Sequence, residues 1–296
     1  MVNKFISIDW GTSSFRAYLI NDMGLVEDSL SSNDGILKFQ KDEFHPFLLK
    51  SLDLWLKKYR GINIFLSGMI GSKNGLIETS YVPCKVGLDD IVKKLVEVDV
   101  NTYIVPGVIA KTDNCIELMR GEEVQIFGAL EYMNLNSAFM ILPGTHSKWA
   151  MVKSKKIVDF KTSMSGEVFE AISKHTILSL SISLREFDIK TYKKGVDFSK
   201  NDGGLLNHIF QVRTRSMYMK EDNTHSFLSG LVIGNEIKEM KKVFDTQEVV
   251  LVGSPELNLI YKIALEEYQI RSIPLDASKA TQKAIYHIYK SRIKDA

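Results

Sequence analysis

The sequence predicts an α/β protein with two similar lobes, each built on a mixed sheet flanked by helices. Segments with strand periodicity and helix periodicity alternate along the 296 residues, which is typical of this class. A series of strand, Gly-Thr turn, strand, turn and strand occurs near residue 5 and again near residue 138. This repeat of architecture sets a boundary near residue 135, so we expect lobes over residues 1–135 and 136–296.

Apolar periodicity assigns the elements of the first half. Short runs of β-forming residues predict strands, and apolar residues three or four positions apart predict helices. The predicted strands are Phe5–Asp9, Phe15–Ile20, Leu25–Leu30, Asn63–Leu66 and Thr102–Val105. The predicted helices are Glu43–Lys58, Asp89–Glu97 and Glu122–Met133.

The second half follows the same rules. Its predicted strands are Ala138–Leu142, Lys148–Val152, Ile157–Thr162, Glu248–Val252 and Ile270–Pro274. Its predicted helices are Glu167–Leu184, Leu205–Met217, Phe227–Lys242, Glu256–Tyr268 and Ser278–Ile293. We expect the last helix, over about residues 277–293, to pack back toward the first lobe.

Composition excludes several classes of protein. The 38 Lys+Arg residues nearly balance the 36 Asp+Glu residues, which argues against a dedicated nucleic-acid binder. Only two cysteines occur, so we expect no disulfide framework and a reducing, cytoplasmic location. The sequence has neither a signal-peptide pattern nor a membrane-length apolar run.

Two similar turns carry the main functional signal. In the first, Asp9 ends a strand and could hold Mg²⁺ through water, while Gly11, Thr12, Ser13 and Arg16 could bind phosphate. In the second, Gly144, Thr145, His146 and Lys148 follow another apolar strand. Each turn alone could be an ordinary polar β-turn. Because the two turns occur at the same point of a repeated pattern, together they indicate a nucleotide-binding cleft.

Three further segments could complete a site. Gly253 and Ser254 follow an apolar strand and could seat an adenine or ribose against backbone. The glycine-rich loop with Ser67, Gly68, Met69, Gly71 and Ser72 could approach a small polar ligand closely. In Met119–Glu123, Glu122 suits a general base and Arg120 suits a substrate carboxylate. A helix start rich in acidic residues is also explained by the helix dipole.

Taken together, these blocks resemble the 2-dehydro-3-deoxygalactonokinase family of the actin/hexokinase superfamily. The resemblance covers nearly the whole chain, through IDWGTSSFRAYL, SGMIGS, MRGEE-x-Q-x-x-GA, LPGTHSKW, F-x-T-x-M-S-GE and FLSGL-x-IG-x-E. It implies two ribonuclease H-like lobes closing on a cleft, with ATP and Mg²⁺ as cofactors. It also implies a small residue, here Ala280 or Thr281, where the final helix meets the first lobe.

The resemblance assigns roles to residues of this chain. Asp9 is expected near Mg²⁺, Gly11–Ser13 in the first phosphate loop, Gly144 and Thr145 in the second, and Gly253 and Ser254 in the adenosine motif. Glu122 stands where related sugar kinases have their catalytic Asp, so the resemblance implies that Glu122 is the general base. Asp113 and Asp9 are the alternatives for that base.

We therefore expect a kinase that transfers phosphate from ATP to the 6-hydroxyl of 2-dehydro-3-deoxy-D-galactonate, in galactonate catabolism. Arg120 and the Ser67–Ser72 loop would hold the carboxylate end. The rival hypotheses are a kinase for another small sugar or sugar acid, a sugar-sensing regulator, and a nucleotide-gated binding protein of the actin or chaperone type. A homodimer is a further expectation, and neither a nucleic acid nor a membrane is an expected partner.

Overall fold

The protein, here a computed structural model, is described over residues 4–112, 114–182 and 186–294. The chain forms two compact units. Unit 1 comprises Met1–Ala138, Ala150–Phe160 and Ala277–Ala296, and unit 2 comprises Phe139–Trp149 and Lys161–Asp276. The lobe boundary near residue 135 stays a prediction.

The described residues form strands and helices that alternate along the chain. The strands are β1 (Lys4–Trp10), β2 (Phe15–Asn21), β3 (Val26–Ser32), β4 (Asn63–Ser67), β5 (Tyr81–Pro83), β6 (Val96–Asp99), β7 (Thr102–Ile104), β8 (Gly107–Lys111), β9 (Ile116–Met119), β10 (Ala138–Leu142), β11 (Ser147–Lys153), β12 (Lys156–Ser163), β13 (Glu248–Gly253) and β14 (Arg271–Asp276). The helices are α1 (Phe44–Ser51), α2 (Asp53–Lys58), α3 (Leu88–Val92), α4 (Glu122–Met133), α5 (Ser165–His175), α6 (Ile189–Ser199), α7 (Gly204–His208), α8 (Phe210–Thr214), α9 (Thr224–Val243), α10 (Pro255–Glu267) and α11 (Ala277–Lys294). The α/β class predicted from the sequence is confirmed.

Three sheets organise these strands. Within the described residues, the strand order is β3-β2-β1-β4-β7-β6 in the largest sheet, β12-β11-β10-β13-β14 in the second and β5-β8-β9 in the smallest. In the largest sheet β1 lies antiparallel to β2 and parallel to β4. In the second, β10 is parallel to β13 and β13 to β14. Both large sheets are therefore mixed or part-parallel, as expected for helices flanking a sheet.

Burial explains the positions of the outer and inner strands. β1 is buried along nearly its whole length, including Phe5, Ile6, Ile8 and Trp10, as expected for a central strand covered on both faces. β3 is exposed at almost every residue, which fits the edge of the sheet. The Trp10 side chain packs edge-on against Phe15, Phe39 and Phe44, so the core of unit 1 lies directly under the end of β1.

Several predicted helices differ from the observed ones. Glu43–Lys58 is split at Leu52 into α1 and α2, which keeps Leu48, Leu52 and Trp55 all in the core. The prediction over Asp89–Glu97 is wrong beyond Val92, because Val96 pairs with Ile104 and starts β6. Local periodicity cannot anticipate pairing with a strand that follows in the sequence.

The helical region of unit 2 is also more broken than predicted. Glu167–Leu184 becomes α5 and a 3₁₀ turn over Ile177–Ser181, and Leu184 lies outside the described residues. Leu205–Met217 becomes α7, α8 and a π-helical turn over Arg215–Met219. Helix α6 and the small β5-β8-β9 sheet were not predicted from the sequence. The strands of this sheet are only three to five residues long, which is too short for a periodic signal.

The final helix packs against α4 at a point of very close approach. A Cβ on Gly128 of α4 would lie only 1.7 Å from the carbonyl oxygen of Ala280 in α11. Ala280 is fully buried and Thr281 nearly so. The small residue expected on the last helix therefore packs against a glycine, Gly128, of α4.

Candidate active site

The carboxyl ends of neighbouring strands bring three segments of unit 1 together. β1 lies parallel to β4, with Asp9 paired in register with Ser67. Ligands of open α/β sheets bind just beyond the carboxyl ends of the strands. The segments that follow β1 and β4, which include Gly11 and Gly68, leave the sheet at this edge.

Asp9 is the carboxylate at this edge. Its Oδ2 lies 3.5 Å from Nη1 of Arg16, and about a fifth of its side chain, 22%, is exposed. Loss of hydration raises the pKa of Asp9 above its usual value, and the negative charge of Glu122 acts in the same direction, while Arg16 opposes both. Asp9 and Glu122 are therefore near enough to influence each other, as the predicted site requires.

Two glycines allow β1, β4 and the start of α4 to converge. Gly68 has a φ of +89°, and a Cβ there would lie 2.8 Å from the carbonyl oxygen of Trp10 and 3.3 Å from Oδ1 of Asp9. Gly121 has a φ of +108°, and its Cβ would lie 3.1 Å from the Cα of Gly68. Both the backbone conformation and the lack of space require glycine, so the turn before Glu122 is seated against the loop after β4.

Glu122 is the first residue of α4 and follows Gly121, the N-cap residue. Its Oε2 accepts a hydrogen bond from the backbone N–H of Arg120 at 3.0 Å. An acidic group is favoured at this end of the helix by the helix dipole. The carboxylate is thus held at the turn rather than directed away along the helix surface.

The neighbouring Glu123 was missed by the sequence analysis as a separate group. It is fully buried, and both of its carboxyl oxygens accept the backbone N–H of Gly121, at 2.9 and 2.7 Å. Burial, followed by the charge of Glu122, raises the pKa of Glu123 to about 8. The only available signal was a second acidic residue next to the one already assigned.

Arg120 is buried, with 7% of its surface exposed. Its guanidinium donates from Nη1 to Oγ1 of Thr79 and from Nη2 to the Thr79 carbonyl at 2.8 Å. Its Cζ lies 4.3 Å from the centre of the Tyr81 ring. Its Nε is buried without a hydrogen-bond partner. The sequence missed Thr79, because a lone threonine in a loop gives no signal.

The loop from Ser67 to Ser72 forms a 3₁₀ turn over Met69–Gly71. The hydroxyl of Ser67 donates to the carbonyl oxygen of Ile8 at 3.0 Å, so it ties β4 to β1. A Cβ on Gly71 would lie 3.0 Å from Nη1 of Arg120. The hydroxyl of Ser72 is buried and has no hydrogen-bond partner. The loop therefore lies directly against Arg120.

The first phosphate loop connects β1 and β2. The N–H of Gly11 donates to the Ser14 carbonyl at 2.9 Å, which closes the turn. Thr12, Ser13 and Arg16 are exposed at this end of the sheet. This arrangement is compatible with anion binding.

The second phosphate loop connects β10 and β11 in unit 2. A Cβ on Gly144 would meet open space, and Thr145 and His146 are exposed. The His146 ring hydrogen-bonds to Oε2 of Glu167. Lys148 is buried, and its Nζ donates a hydrogen bond to the carbonyl oxygen of His146 at 3.4 Å. This contact helps to fix the backbone of the loop.

A buried carboxyl group anchors the strand after this loop. Glu236 of α9 accepts hydrogen bonds from Ser147, Trp149 and Tyr261, each at 2.7 Å. These hydrogen bonds offset the free-energy cost of removing the carboxyl group from water. Glu236 stands in the FLSGL-x-IG-x-E block, but the sequence analysis assigned no role to it.

The predicted adenosine motif lies beside the second phosphate loop. Because β10 and β13 are parallel, their ends meet, and a Cβ on Gly253 would lie 3.3 Å from Cδ of Pro143. Ser254 caps α10 by accepting the N–H of Leu257 at 3.3 Å. Asn258 donates to the carbonyl oxygens of Gly253 and Leu275, which fixes the turn.

Each unit thus gathers its own set of predicted residues. Unit 1 brings together Asp9, Arg16, Gly68, Arg120 and Glu122. Unit 2 brings the Gly144 loop next to Gly253 and Ser254. Asp113, an alternative for the base, lies outside the described residues. Over the described part of the chain, no group of three or more His, Cys, Asp or Glu residues could hold a metal ion.

Comparison with known proteins identifies the family. The model of the 2-keto-3-deoxy-galactonokinase family matches residues 9–288. The chain belongs to this family. A Rhizobium meliloti (strain 1021) protein named "Probable 2-dehydro-3-deoxygalactonokinase DgoK1" is 30% identical over 295 residues, with 95% of each chain covered. The two family names describe the same substrate, because both the prefix 2-dehydro and the prefix 2-keto denote a ketone at C2 of the sugar acid.

Solved structures support the same family and fold. The crystal structure of a Sinorhizobium meliloti protein described as a 2-dehydro-3-deoxygalactonokinase has a TM-score of 0.90 and 29% identity, covering 97% of this chain and 99% of that one. The activator of 2-hydroxyisocaproyl-CoA dehydratase from Clostridium difficile has a TM-score of 0.56 at 11% identity, covering 99% and 98%. The second likeness concerns the fold alone. Among the described residues of this family member, no helix is long and apolar enough to cross a membrane.

Proposed function

We propose that this protein is an ATP-dependent kinase for 2-dehydro-3-deoxy-D-galactonate in galactonate catabolism. The reaction transfers the terminal phosphoryl group to the 6-hydroxyl and yields 2-dehydro-3-deoxy-6-phosphogalactonate and ADP. The observation that carries the proposal is the convergence of Asp9, Gly68 and the Gly121–Glu122 turn, in a chain whose family match spans residues 9–288.

Glu122 is the proposed general base. Its carboxylate stands at the start of α4, near Asp9, and would orient the acceptor hydroxyl and accept its proton. Phosphoryl transfer depends mainly on positioning and electrostatic stabilisation, so a fixed carboxylate suits the task. The turn that carries Glu122 is held from below by Glu123.

Arg120 and the Ser67–Ser72 loop are the proposed seat of the sugar acid. The guanidinium is fixed by Thr79 and Tyr81, and its buried Nε still lacks an acceptor. The buried hydroxyl of Ser72 lacks a partner as well. Polar groups left unpaired in a protein interior are costly, and a carboxylate or hydroxyl of the substrate would satisfy them.

Mg²⁺ fits the donor set of unit 1. The ion usually takes one or two protein carboxylates and completes its shell with water and substrate phosphates. Asp9, near the carboxyl end of β1 and with 22% of its side chain exposed, offers one such carboxylate. When bound, the ion would neutralise charge on the phosphates of ATP.

ATP would be bound by the exposed loops and the capped turn. The proposed phosphate ligands are the backbone and hydroxyl groups of Gly11–Ser13 and of Gly144–Thr145, with Arg16, His146 and Lys148 as cationic or hydrogen-bonding side chains. Gly253 and Ser254 would contact the adenosine. Loops with exposed N–H groups are the common means of phosphate binding.

The decisive experiment is coupled ADP release from MgATP. Turnover should depend on 2-dehydro-3-deoxygalactonate and should be far lower with its gluconate epimer, galactonate and plain hexoses. Turnover with another sugar acid alone would contradict the proposed substrate but support kinase activity. ATP binding without turnover on any of them would favour a sugar sensor.

We also propose a cytoplasmic enzyme that forms a homodimer. Two cysteines in the whole chain are too few for a disulfide framework, which suits a reducing compartment. In unit 2, Phe210, Met217 and Tyr218 line one groove and are 55%, 65% and 91% exposed. Exposed apolar side chains grouped in one groove are candidates for a protein–protein interface.

A second copy of this chain is the proposed occupant of that groove, because in a symmetric dimer the same surface of each copy serves as the interface. Sedimentation should give a dimer for the wild type and a monomer for Tyr218→Ser. The matched control is Leu54→Ser, since Leu54 is 80% exposed but lies in unit 1. A wild-type monomer would contradict the proposal.

A further inference from the structure

Gly35 lies directly behind the first phosphate loop. A Cβ on Gly35 would be 2.2 Å from the carbonyl oxygen of Thr12 and 2.3 Å from both N and Cα of Ser13. Its φ is −71°, a value that any residue adopts, so the requirement for glycine comes from space alone. The next residue, Ile36, donates its N–H to the carbonyl oxygen of Gly11 at 3.0 Å.

Gly166 stands in the same relation to the second phosphate loop. Its Cβ would be 2.5 Å from the carbonyl oxygen of Gly144 and 2.8 Å from the Cα of Thr145. It lies in the first turn of α5, where alanine is normally favoured over glycine. The next residue, Glu167, donates its N–H to the carbonyl oxygen of Thr145 at 3.1 Å.

The two arrangements are equivalent. Gly35 follows the loop glycine Gly11 by 24 residues, and Gly166 follows the loop glycine Gly144 by 22 residues. In each unit a glycine touches the loop backbone, and the following N–H binds a loop carbonyl. The same contact thus accompanies both copies of the repeated strand-turn-strand pattern, although the sequences around the two glycines differ.

We propose that Gly35 and Gly166 are positioning residues for ATP, each of which fixes the backbone of one phosphate loop from behind. This inference rests on the proposed function, in which the two loops bind the phosphates. Neither glycine touches the nucleotide. A Cβ would push the loop backbone by about 1 Å, and a misplacement of this size can cost about 100-fold in rate.

The test compares Gly35→Ala and Gly166→Ala with two controls. Gly87→Ala adds a Cβ whose nearest neighbours are 3.7 Å away, so it should leave both KM values and the stabilisation by MgATP unchanged. Gly195→Ala adds a Cβ 2.2 Å from the carbonyl oxygen of Phe227 in the α6–α9 contact, so it should lower the melting temperature without a selective effect on ATP. The measured quantities are KM for ATP, KM for the sugar acid, and the rise in melting temperature caused by MgATP.

The expected result is a split between the two substrates. Both loop variants should raise KM for ATP by about 10-fold to 100-fold, leave KM for the sugar acid within about twofold, and lose most of the stabilisation by MgATP. Equal changes in both KM values, unchanged ATP parameters in folded variants, or failure of both variants to fold even in the cold would overturn the inference. Absence of stabilisation by MgATP in the wild type would instead contradict the proposed function.

Discussion

The carboxyl group of Glu123 holds the backbone N–H of Gly121 with both oxygens, at 2.9 and 2.7 Å. Glu123 is fully buried, whereas the adjacent Glu122 begins the helix at the proposed site. The turn between Gly121 and Glu123 therefore combines a buried support and a reactive carboxylate in consecutive residues. Its stability should depend on pH.

Stability should fall as pH rises through the neutral range because of Glu123. Its pKa is raised from 4.5 to about 8 in the folded protein, so between these values the folded chain binds more protons than the unfolded one. The stabilisation is complete below about pH 4.5 and lost as pH approaches 8. In Glu123→Gln, the free energy of unfolding in urea should decline less between about pH 5 and pH 8. Glu170→Gln, at an exposed pair with Lys174, is the control, and parallel curves for wild type and Glu123→Gln would contradict the assignment.

Glu122→Gln should separate chemistry from binding. Loss of a general base lowers kcat by about 10²-fold to 10⁴-fold, while binding of MgATP should persist because the phosphate loops are untouched. Single-turnover kinetics with the sugar acid would measure the first effect and calorimetry the second. An unchanged kcat would remove Glu122 as the base and direct attention to Asp9 and Asp113.

Arg120→Lys should affect the sugar acid more than ATP. A lysine cannot reproduce the forked donation to Thr79 or the stacking on Tyr81. We expect KM for the sugar acid to rise about tenfold or more and KM for ATP to stay near the wild-type value. Arg16→Lys is the matched control and should show the reverse preference. A loss of stability without a selective rise in KM for the sugar acid would indicate that Arg120 has only a structural role.

Gly128→Val should destabilise the contact between α4 and α11. The Cβ would meet the Ala280 carbonyl at 1.7 Å, and a backbone atom cannot move aside as a side chain can. Overpacking typically costs about 1–3 kcal/mol, and we expect at least that loss in the free energy of unfolding. Gly87→Ala serves as the control, and a neutral Gly128→Val would show that the helices separate easily.

Glu236→Gln should weaken the strand that follows the second phosphate loop. The carboxyl group accepts from Ser147, Trp149 and Tyr261, whereas an amide presents one oxygen and an NH₂ group that cannot accept. Whichever way the amide is turned, its NH₂ group replaces one accepting oxygen, so at least one of the three donors must reorient or lose its acceptor, at a cost of about 1–3 kcal/mol. Urea unfolding would measure the loss, and Glu239→Gln, on the exposed side of the same helix, is the control. Equal stability of the two variants would count against a structural role for the network.

The sequence was a good guide where the signal is local. The end of β1 at Asp9 and Trp10 and the start of α4 at Glu122 agree with the apolar runs, because a strand or helix is specified by the periodicity of its own residues. The motifs also identified the family, which the match over residues 9–288 confirms. The helix predicted over Asp89–Glu97 ends early, at Val92, because pairing between Val96 and Ile104 outweighed local preference.

The sequence by itself thus determined the class, the two repeated turns, the family and most residues of the proposed site. Only the tertiary structure decided which neighbours hold those residues: Thr79 under Arg120, Glu123 under Gly121, and Gly35 and Gly166 behind the phosphate loops. These contacts join segments that are far apart in the sequence or hidden within a motif. They depend on how closely two backbones approach and on which polar groups are cut off from water, and neither quantity exists until the chain has folded.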